Sequence, residues 1–95
     1  MQTMQREMVI ITPEELNEIM LGFSLQTLCI YLDNYKFNKF RIDTTPIRKC
    51  RYKVCDEFLS LLYTTLLRRS RVTEARKLKV YFEGYKIKNY DLEVY

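Results

Sequence analysis

Five basic residues between positions 41 and 53 have the spacing of a phosphate-binding ribbon. Most of them alternate with apolar residues on either side of a turn, and they are Arg41, Arg48, Lys49, Arg51 and Lys53. A strand with this alternation turns one set of side chains to the core and the other to solvent. Cations in a row along such a face can contact the phosphates of a nucleic-acid backbone. A solvated strand whose charges discourage aggregation has the same pattern, so both interpretations stay open.

The charge of the chain is unevenly distributed. Its net charge is +4, but residues 1–35 hold one basic and five acidic residues, whereas residues 36–88 hold fifteen basic and five acidic ones. A local charge of +10 favours a surface that faces a polyanion, with a lysine-rich solvated surface as the alternative.

The residue content argues against catalysis and against metal or cofactor binding. The chain has no His, and it shows no carboxylate pair, glycine-rich phosphate loop or nucleophile elbow. Its three cysteines, an odd number at irregular spacing, are predicted to be reduced and mostly buried: Cys29, Cys50 and Cys55. We therefore predict no catalytic residues, no metal and no cofactor.

The elements that position the ribbon begin with two short helices. Thr12-Pro13-Glu14-Glu15 combines an N-cap, a proline at the first helical position and a capping box, which predicts a helix over about 13–21. Gly22-Phe23-Ser24 predicts a break in which Gly22 takes a left-handed turn and Ser24 caps a second helix, extending to about residue 35. So tight a turn forces the helices to cross steeply, as in a helix-turn-helix.

The ribbon is predicted to follow the second helix. Phe40 and Ile42 alternate with Lys39, Arg41 and Asp43, and Thr44-Thr45-Pro46 turns the chain back towards residues 50–54. This alternation places Arg41, Arg51 and Lys53 on the outer face, with Arg48 and Lys49 in the loop. Residues 8–11, before the first helix, are either a short strand or an apolar lead-in.

Two further helices are expected after the ribbon. Asp56 is predicted to cap a helix over about 56–69 that has two apolar stripes and is covered on two sides. Thr73 is predicted to cap a helix over about 73–84 whose inward side chains are Ala75, Leu78, Tyr81 and Phe82. The arginines between them, Arg68, Arg69 and Arg71, either contact phosphate or complement the helix dipole.

The predicted architecture is a single domain over residues 9–84, which is mainly α-helical and includes a small β-hairpin. Residues 1–8 are expected to be a frayed N-terminus, and residues 85–95 a tail with a short strand or a partner-binding role. No apolar run is long enough to span a bilayer and no signal-peptide pattern is present, so we expect a cytoplasmic protein without membrane contact.

Residues 9–68 resemble the excisionase and MerR-like winged helix-turn-helix domains of bacteria, phages and mobile elements. The resemblance is carried, in order, by Thr12-Pro13-Glu14-Glu15-Leu16, Leu21-Gly22-Phe23-Ser24, Thr27-Leu28, Phe37-Asn38-Lys39-Phe40-Arg41-Ile42 and Arg51-Tyr52-Lys53-Val54. It implies three to four helices with a two-stranded wing. It also implies a nucleoid-associated protein that binds double-stranded DNA, as a homodimer or cooperative array, and acts as a transcription regulator or as a directionality factor partnering a recombinase.

On this resemblance the expected DNA contacts come from the second helix, the segment after it and the wing. They are Ser24, Gln26, Thr27, Lys36, Lys39, Arg41, Arg48, Lys49, Arg51 and Lys53. The resemblance adds no catalytic or metal-binding residue.

The second helix departs from the family pattern because its outward positions carry no cation. Of Leu25, Gln26, Cys29 and Ile30, only Gln26 can make the paired hydrogen bonds that read adenine. An exposed apolar patch is typical of a protein interface. The second hypothesis is therefore a protein-interaction module, either dimerising or a phage-encoded inhibitor or adaptor. Its interface would comprise Leu25, Cys29 and Ile30, or a stripe of the third helix formed by Leu59, Tyr63 and Leu67.

Overall fold

The computed structural model describes residues 9–22, 24–42 and 50–93. The elements are β1 (Val9–Ile11), α1 (Pro13–Met20), α2 (Leu25–Leu32), the 3₁₀ helix η1 (Tyr35–Phe40), β2 (Tyr52–Val54), α3 (Asp56–Arg68), α4 (Val72–Tyr81) and the 3₁₀ helix η2 (Tyr90–Glu93). The predicted fold class is confirmed, since the chain is mainly helical with a two-stranded antiparallel sheet. Among these helices, none combines the length and the apolar character needed to cross a bilayer.

Strand β2 pairs on both of its edges. On one edge it is antiparallel to β1, with Ile11 opposite Tyr52, so residues 9–11 are a strand rather than a lead-in. On the other edge Arg41 forms one antiparallel bridge to Tyr52, and the Ile42 amide donates to the Arg51 carbonyl at 2.7 Å. In the described residues, the predicted pairing of residues 39–43 with 50–54 is thus reduced to this bridge and this hydrogen bond, and the two-stranded sheet joins β1 to β2 instead. The turn of the predicted ribbon, with Asp43, Arg48 and Lys49, lies outside the described residues.

The segment between α2 and the ribbon differs from the prediction. Helix α2 ends at Leu32 rather than near residue 35, and η1 occupies positions where a strand was expected to begin. A 3₁₀ helix has three residues per turn, so Phe37 and Phe40 share its inner face. Both rings pack edge-on against Phe58 of α3, with centroids 5.9 and 5.4 Å away. This aromatic packing outweighs the local alternation that predicted a strand.

The helix caps confirm some predictions and correct others. The capping box of α1 is present: Thr12 Oγ1 accepts from the Glu15 amide at 3.2 Å, and the Thr12 amide donates to Glu15 Oε1 at 2.9 Å. Ser24 caps α2, as predicted, by accepting from the Thr27 amide. Asp56 does not cap α3, because Cys55 Sγ takes that position and accepts from the Phe58 amide at 3.4 Å.

The turn between α1 and α2 also differs in detail. The left-handed residue is Leu21, with φ 51° and ψ 34°, and Gly22 does not have a positive φ. The Leu21 amide donates to the Asn17 carbonyl at 2.8 Å and closes the last turn of α1. Phe23, the middle residue of the predicted break, lies outside the described residues.

Helix α4 begins one residue earlier than predicted because α3 ends in a Schellman turn. Ser70 has a φ of 61°, its amide donates to the Leu67 carbonyl, and the Arg71 amide donates to the Leu66 carbonyl at 2.8 Å. Arg71 is therefore also the residue before α4, and Thr73 lies inside the helix rather than capping it.

Helix α3 forms the centre of the domain and is covered on two sides, as predicted. Helix α4 packs on one side, with Ala75, Leu78 and Phe82 buried. Tyr81, which was expected to face inward as well, is 65% exposed because Phe82 takes the last inward position. The C-terminal segment, left open by the sequence, packs on the other side of α3.

A ladder of polar side chains joins α3 to that segment. The amides of Lys86, Lys88 and Tyr90 donate to Asp56 Oδ1 at 3.1 Å, Ser60 Oγ at 2.8 Å and Thr64 Oγ1 at 2.9 Å, respectively. Ser60 and Thr64 also donate to the carbonyls of residues 86 and 88. Beyond these rungs, Arg68 Nη2 binds Asp91 Oδ1 at 2.6 Å. Residues 86–91 thereby hydrogen-bond along the length of α3.

Candidate nucleic-acid interface

The first turn of α2 presents polar but uncharged groups. The hydroxyls of Ser24 and Thr27 lie 3.0 Å apart, and Gln26 is exposed between them. Helix α2 has the sequence LQTLCIYL and so carries no charged side chain. This end of the helix offers an amide, hydroxyls and backbone N–H groups to a ligand, without a cation.

The outer face of the ribbon carries two of the predicted cations. Tyr52 and Val54 are buried, and Arg51 and Lys53 alternate with them and are exposed. Lys53 lies opposite Ile10 of β1 in the sheet. Arg51 and Lys53 therefore occupy the predicted face, whereas Arg48 and Lys49 lie outside the described residues.

Arg41 lies on the opposite face of the ribbon from the one predicted. It forms its bridge with the buried Tyr52, and directly opposed residues of antiparallel strands share a face. Its guanidinium lies 6.0 Å from the centroid of the Tyr52 ring, and Nη2 lies 3.9 Å from Asp33 Oδ1. Because η1 ends at Phe40, the inward and outward positions that follow it are displaced by one residue from the alternation predicted from the sequence. Arg41 consequently links the base of the ribbon to the end of α2.

Tyr52 is the buried residue against which Arg41 packs. Its side chain is fully buried, and its ring stacks on Phe58 at a centroid distance of 5.7 Å. Burial raises the pKa of Tyr52 well above its usual range; the Cys50 thiol adds to the rise and the Arg41 guanidinium opposes it. The phenol is therefore neutral at physiological pH, and its role is packing.

The two predicted lysines of η1 have different surroundings. Lys39 is paired with Glu57 of α3, and this hydrogen bond raises the pKa of Lys39. Both side chains of the pair are more than half exposed, so solvent screens the attraction strongly. Lys36 is exposed; the hydrogen bond from Arg68 lowers the pKa of Asp91, and the charge of Lys36 adds a smaller effect in the same direction. The pairing of Lys39 makes it a poorer phosphate contact than the sequence indicated.

The predicted protein interface does not form an exposed patch. Cys29 and Leu59 are 5% and 0% exposed, so both belong to the core and not to a surface. Tyr63 and Leu67 are half-buried against the core, because α4 covers this stripe of α3. Of the six residues in that prediction, Leu25 is half-buried and Ile30, at 65% exposure, is the one that projects into solvent.

The sequence interpretation missed the polar ladder of α3, although a signal for it was present. Asp56, Ser60, Thr64 and Arg68 recur every four residues and form one stripe of the helix. Polar side chains at that spacing can form hydrogen bonds with the main chain of a segment that packs along the helix.

Comparison of the chain with protein-family models, with curated proteins and with solved structures gave no significant match. Within residues 9–22, 24–42 and 50–93, no three acidic or cysteine side chains come together as a metal site would require.

Proposed function

We propose that this chain is a small double-stranded DNA-binding domain of the winged helix-turn-helix type. It acts as a transcription regulator or as a directionality factor for the recombinase of a phage or mobile element. One observation carries the proposal: a capped pair of helices is linked to an antiparallel ribbon whose outward side chains are Arg51 and Lys53. In domains of this type, one helix enters a groove and the ribbon lies beside it.

Affinity and selectivity come from different parts of this surface. Phosphate contacts supply affinity. The cations suited to that role are Arg51, Lys53 and Lys36, together with Arg48 and Lys49, which the structure does not describe. Gln26 is the side chain suited to read a base, through paired hydrogen bonds to adenine. With about five phosphate contacts, a fourfold rise in salt lowers duplex affinity by roughly two to three decades.

Arg41 and Lys39 take a supporting role in this proposal. Arg41 packs on Tyr52 close to Asp33, and Lys39 pairs with Glu57. The contacts of Arg41 link the ribbon to the end of α2, and the Lys39–Glu57 pair joins η1 to α3. The charges that face DNA are thus fewer than the sequence alone indicated.

Duplex titration by fluorescence anisotropy at two salt concentrations tests the proposal. We expect Arg51→Glu with Lys53→Glu to abolish binding while far-UV circular dichroism stays unchanged. The matched control is Lys86→Glu with Lys88→Glu, which changes the net charge equally at exposed positions of the tail. Equal loss in both double variants, or no salt-sensitive duplex binding by the wild type, would contradict the proposal.

A second candidate function is a protein-interaction module, and the exposure of Ile30 on an uncharged helix favours it. Ile30→Lys separates the two candidates. If α2 faces DNA, the added cation makes about one more phosphate contact. Duplex affinity then changes, and the slope of log affinity against log salt concentration becomes steeper by about 0.9. If α2 faces a protein, duplex affinity does not respond.

A further inference from the structure

Apolar side chains of β1, α1 and α4 line a groove whose lining includes no residue of β2. The groove consists of two adjoining hollows that share Ile19 of α1 and Tyr81 of α4. Val9 extends the apolar lining in one direction and Val80 in the other. Tyr81 and Val80 are 65% and 70% exposed, which leaves much apolar surface in water.

The two ends of the groove carry opposite charges. The hollow beside β1 contains Glu15 and Glu18, and the hollow beside α4 contains Arg76 and Lys77. Glu15 is occupied by the capping box of α1. In the described parts of the chain, Glu18, Arg76 and Lys77 form no ion pair or hydrogen bond. Their charges are therefore available to a partner.

We infer that the groove docks a second copy of this chain, giving a two-fold symmetric dimer. In such a dimer the same patch is used by both copies, so a patch must be complementary to itself. A two-fold axis through the Ile19 and Tyr81 region places the acidic end of each copy on the basic end of the other. A purely basic or purely acidic peptide would satisfy one end and leave the other facing like charge.

The apolar centre supplies the stability of this dimer, and the charged ends set its orientation. Exposed aromatic residues at the middle of an interface carry much of the binding energy, whereas pairs at the rim contribute less. The inference does not depend on DNA binding, because association is measured without nucleic acid. Either proposal can therefore fail while the other stands.

Sedimentation velocity of the full chain over a range of concentrations tests the apolar centre. We expect a monomer–dimer equilibrium for the wild type and a dissociation constant raised at least about a hundredfold by Tyr81→Glu. Tyr35→Glu is the matched control, since Tyr35 is 77% exposed on η1 and does not line the groove. A wild type that stays monomeric at every concentration would overturn the inference.

Charge reversal tests the symmetry. Glu18→Lys and Lys77→Glu should each weaken dimerisation by about tenfold, since each places two like-charge contacts in the dimer. Mixing the two variants should restore association, because the introduced lysine then faces the introduced glutamate at one end while the native Lys77 and Glu18 face each other at the other end. Mixing Glu18→Lys with the control Lys88→Glu should give a mixed dimer weaker than the wild-type dimer, because one of its two ends holds like charges, while the control still associates with itself. Failure of the first mixture to associate, with both variants folded, would show that another surface or occupant is involved.

Discussion

The side chain of Glu74 on α4 lies directly against Gly22 in the turn between α1 and α2. A methyl group at Gly22 would come within 1.7 Å of Glu74 Oε2 and 2.0 Å of Glu74 Cγ. Glu74 is only 8% exposed, so it has little room to move aside. Glycine is thus required here by the close approach of α4 and not by the backbone angle, which is left-handed at Leu21 instead.

Gly22→Ala is expected to lower the free energy of unfolding by about 1–3 kcal/mol, because the buried Glu74 side chain must be displaced. Urea unfolding measures the change. Gly84→Ala is the matched control, since the added methyl group meets no atom within 4 Å apart from those of its own and the adjacent residues. Adding Glu74→Ala to Gly22→Ala should recover most of the loss. A double variant no more stable than Gly22→Ala would show that the collision is not the cause.

Ser70→Gly is expected to stabilise the fold by about 0.5–1 kcal/mol. Ser70 takes the left-handed position of the Schellman turn, which glycine adopts without steric cost. Thermal unfolding should show a midpoint higher by several degrees, at about 4–8 °C per kcal/mol for a domain of this size. Ser70→Ala keeps the strained backbone and should not be stabilised. Equal midpoints for the glycine and alanine variants would argue against strain at this position.

Thr64→Val is expected to lower the free energy of unfolding by about 1–2 kcal/mol, because the partly buried Tyr90 amide loses its hydrogen-bond acceptor. The Tyr90 amide should also exchange hydrogen faster. Thr65→Val is the control on the same helix: its hydroxyl donates only to the Leu61 carbonyl of α3 itself. If both substitutions destabilise the domain equally, the ladder does not hold the tail.

The contact between Arg68 and Asp91 should make tail docking sensitive to acid. The hydrogen bond from Arg68 lowers the pKa of Asp91, so the folded state favours the carboxylate. The resulting stability is present above the unfolded pKa of Asp91 and is lost as pH falls through the lower, folded pKa, that is, below about pH 4. Urea unfolding of the wild type and of Asp91→Asn should therefore differ at pH 7 and converge towards pH 3. A difference that does not change with pH would rule out this linkage.

Local signals in the sequence predicted the helix starts that depend on neighbouring residues. The capping box of Thr12 and the cap at Ser24 are formed within four residues of the chain, so their chemistry is visible in the sequence. The outward direction of Arg51 and Lys53 was equally predictable from the buried residues between them. These parts of the candidate site need no tertiary information.

The remaining features depend on contacts between distant parts of the chain. The conformation of Phe37 and Phe40 is decided by Phe58, and through it the face on which Arg41 lies. The role of Gly22 is decided by Glu74 of α4. Periodicity within a segment carries no information about either partner, so it assigned Arg41 to the wrong face and Gly22 to the wrong role.

The ladder on α3 depends on a near match between the rise of a helix turn and the spacing of residues in an extended segment. Four helical residues rise about 6 Å, and two extended residues span about 6.6 Å, so successive rungs meet alternate amides almost in step. The helix thereby supplies hydrogen-bond partners to the main chain of the C-terminal segment, as an adjacent strand would. Since its rungs recognise main-chain groups, the segment can vary at its solvent-facing positions, Lys86 and Lys88, provided that Ile87 still fills the core.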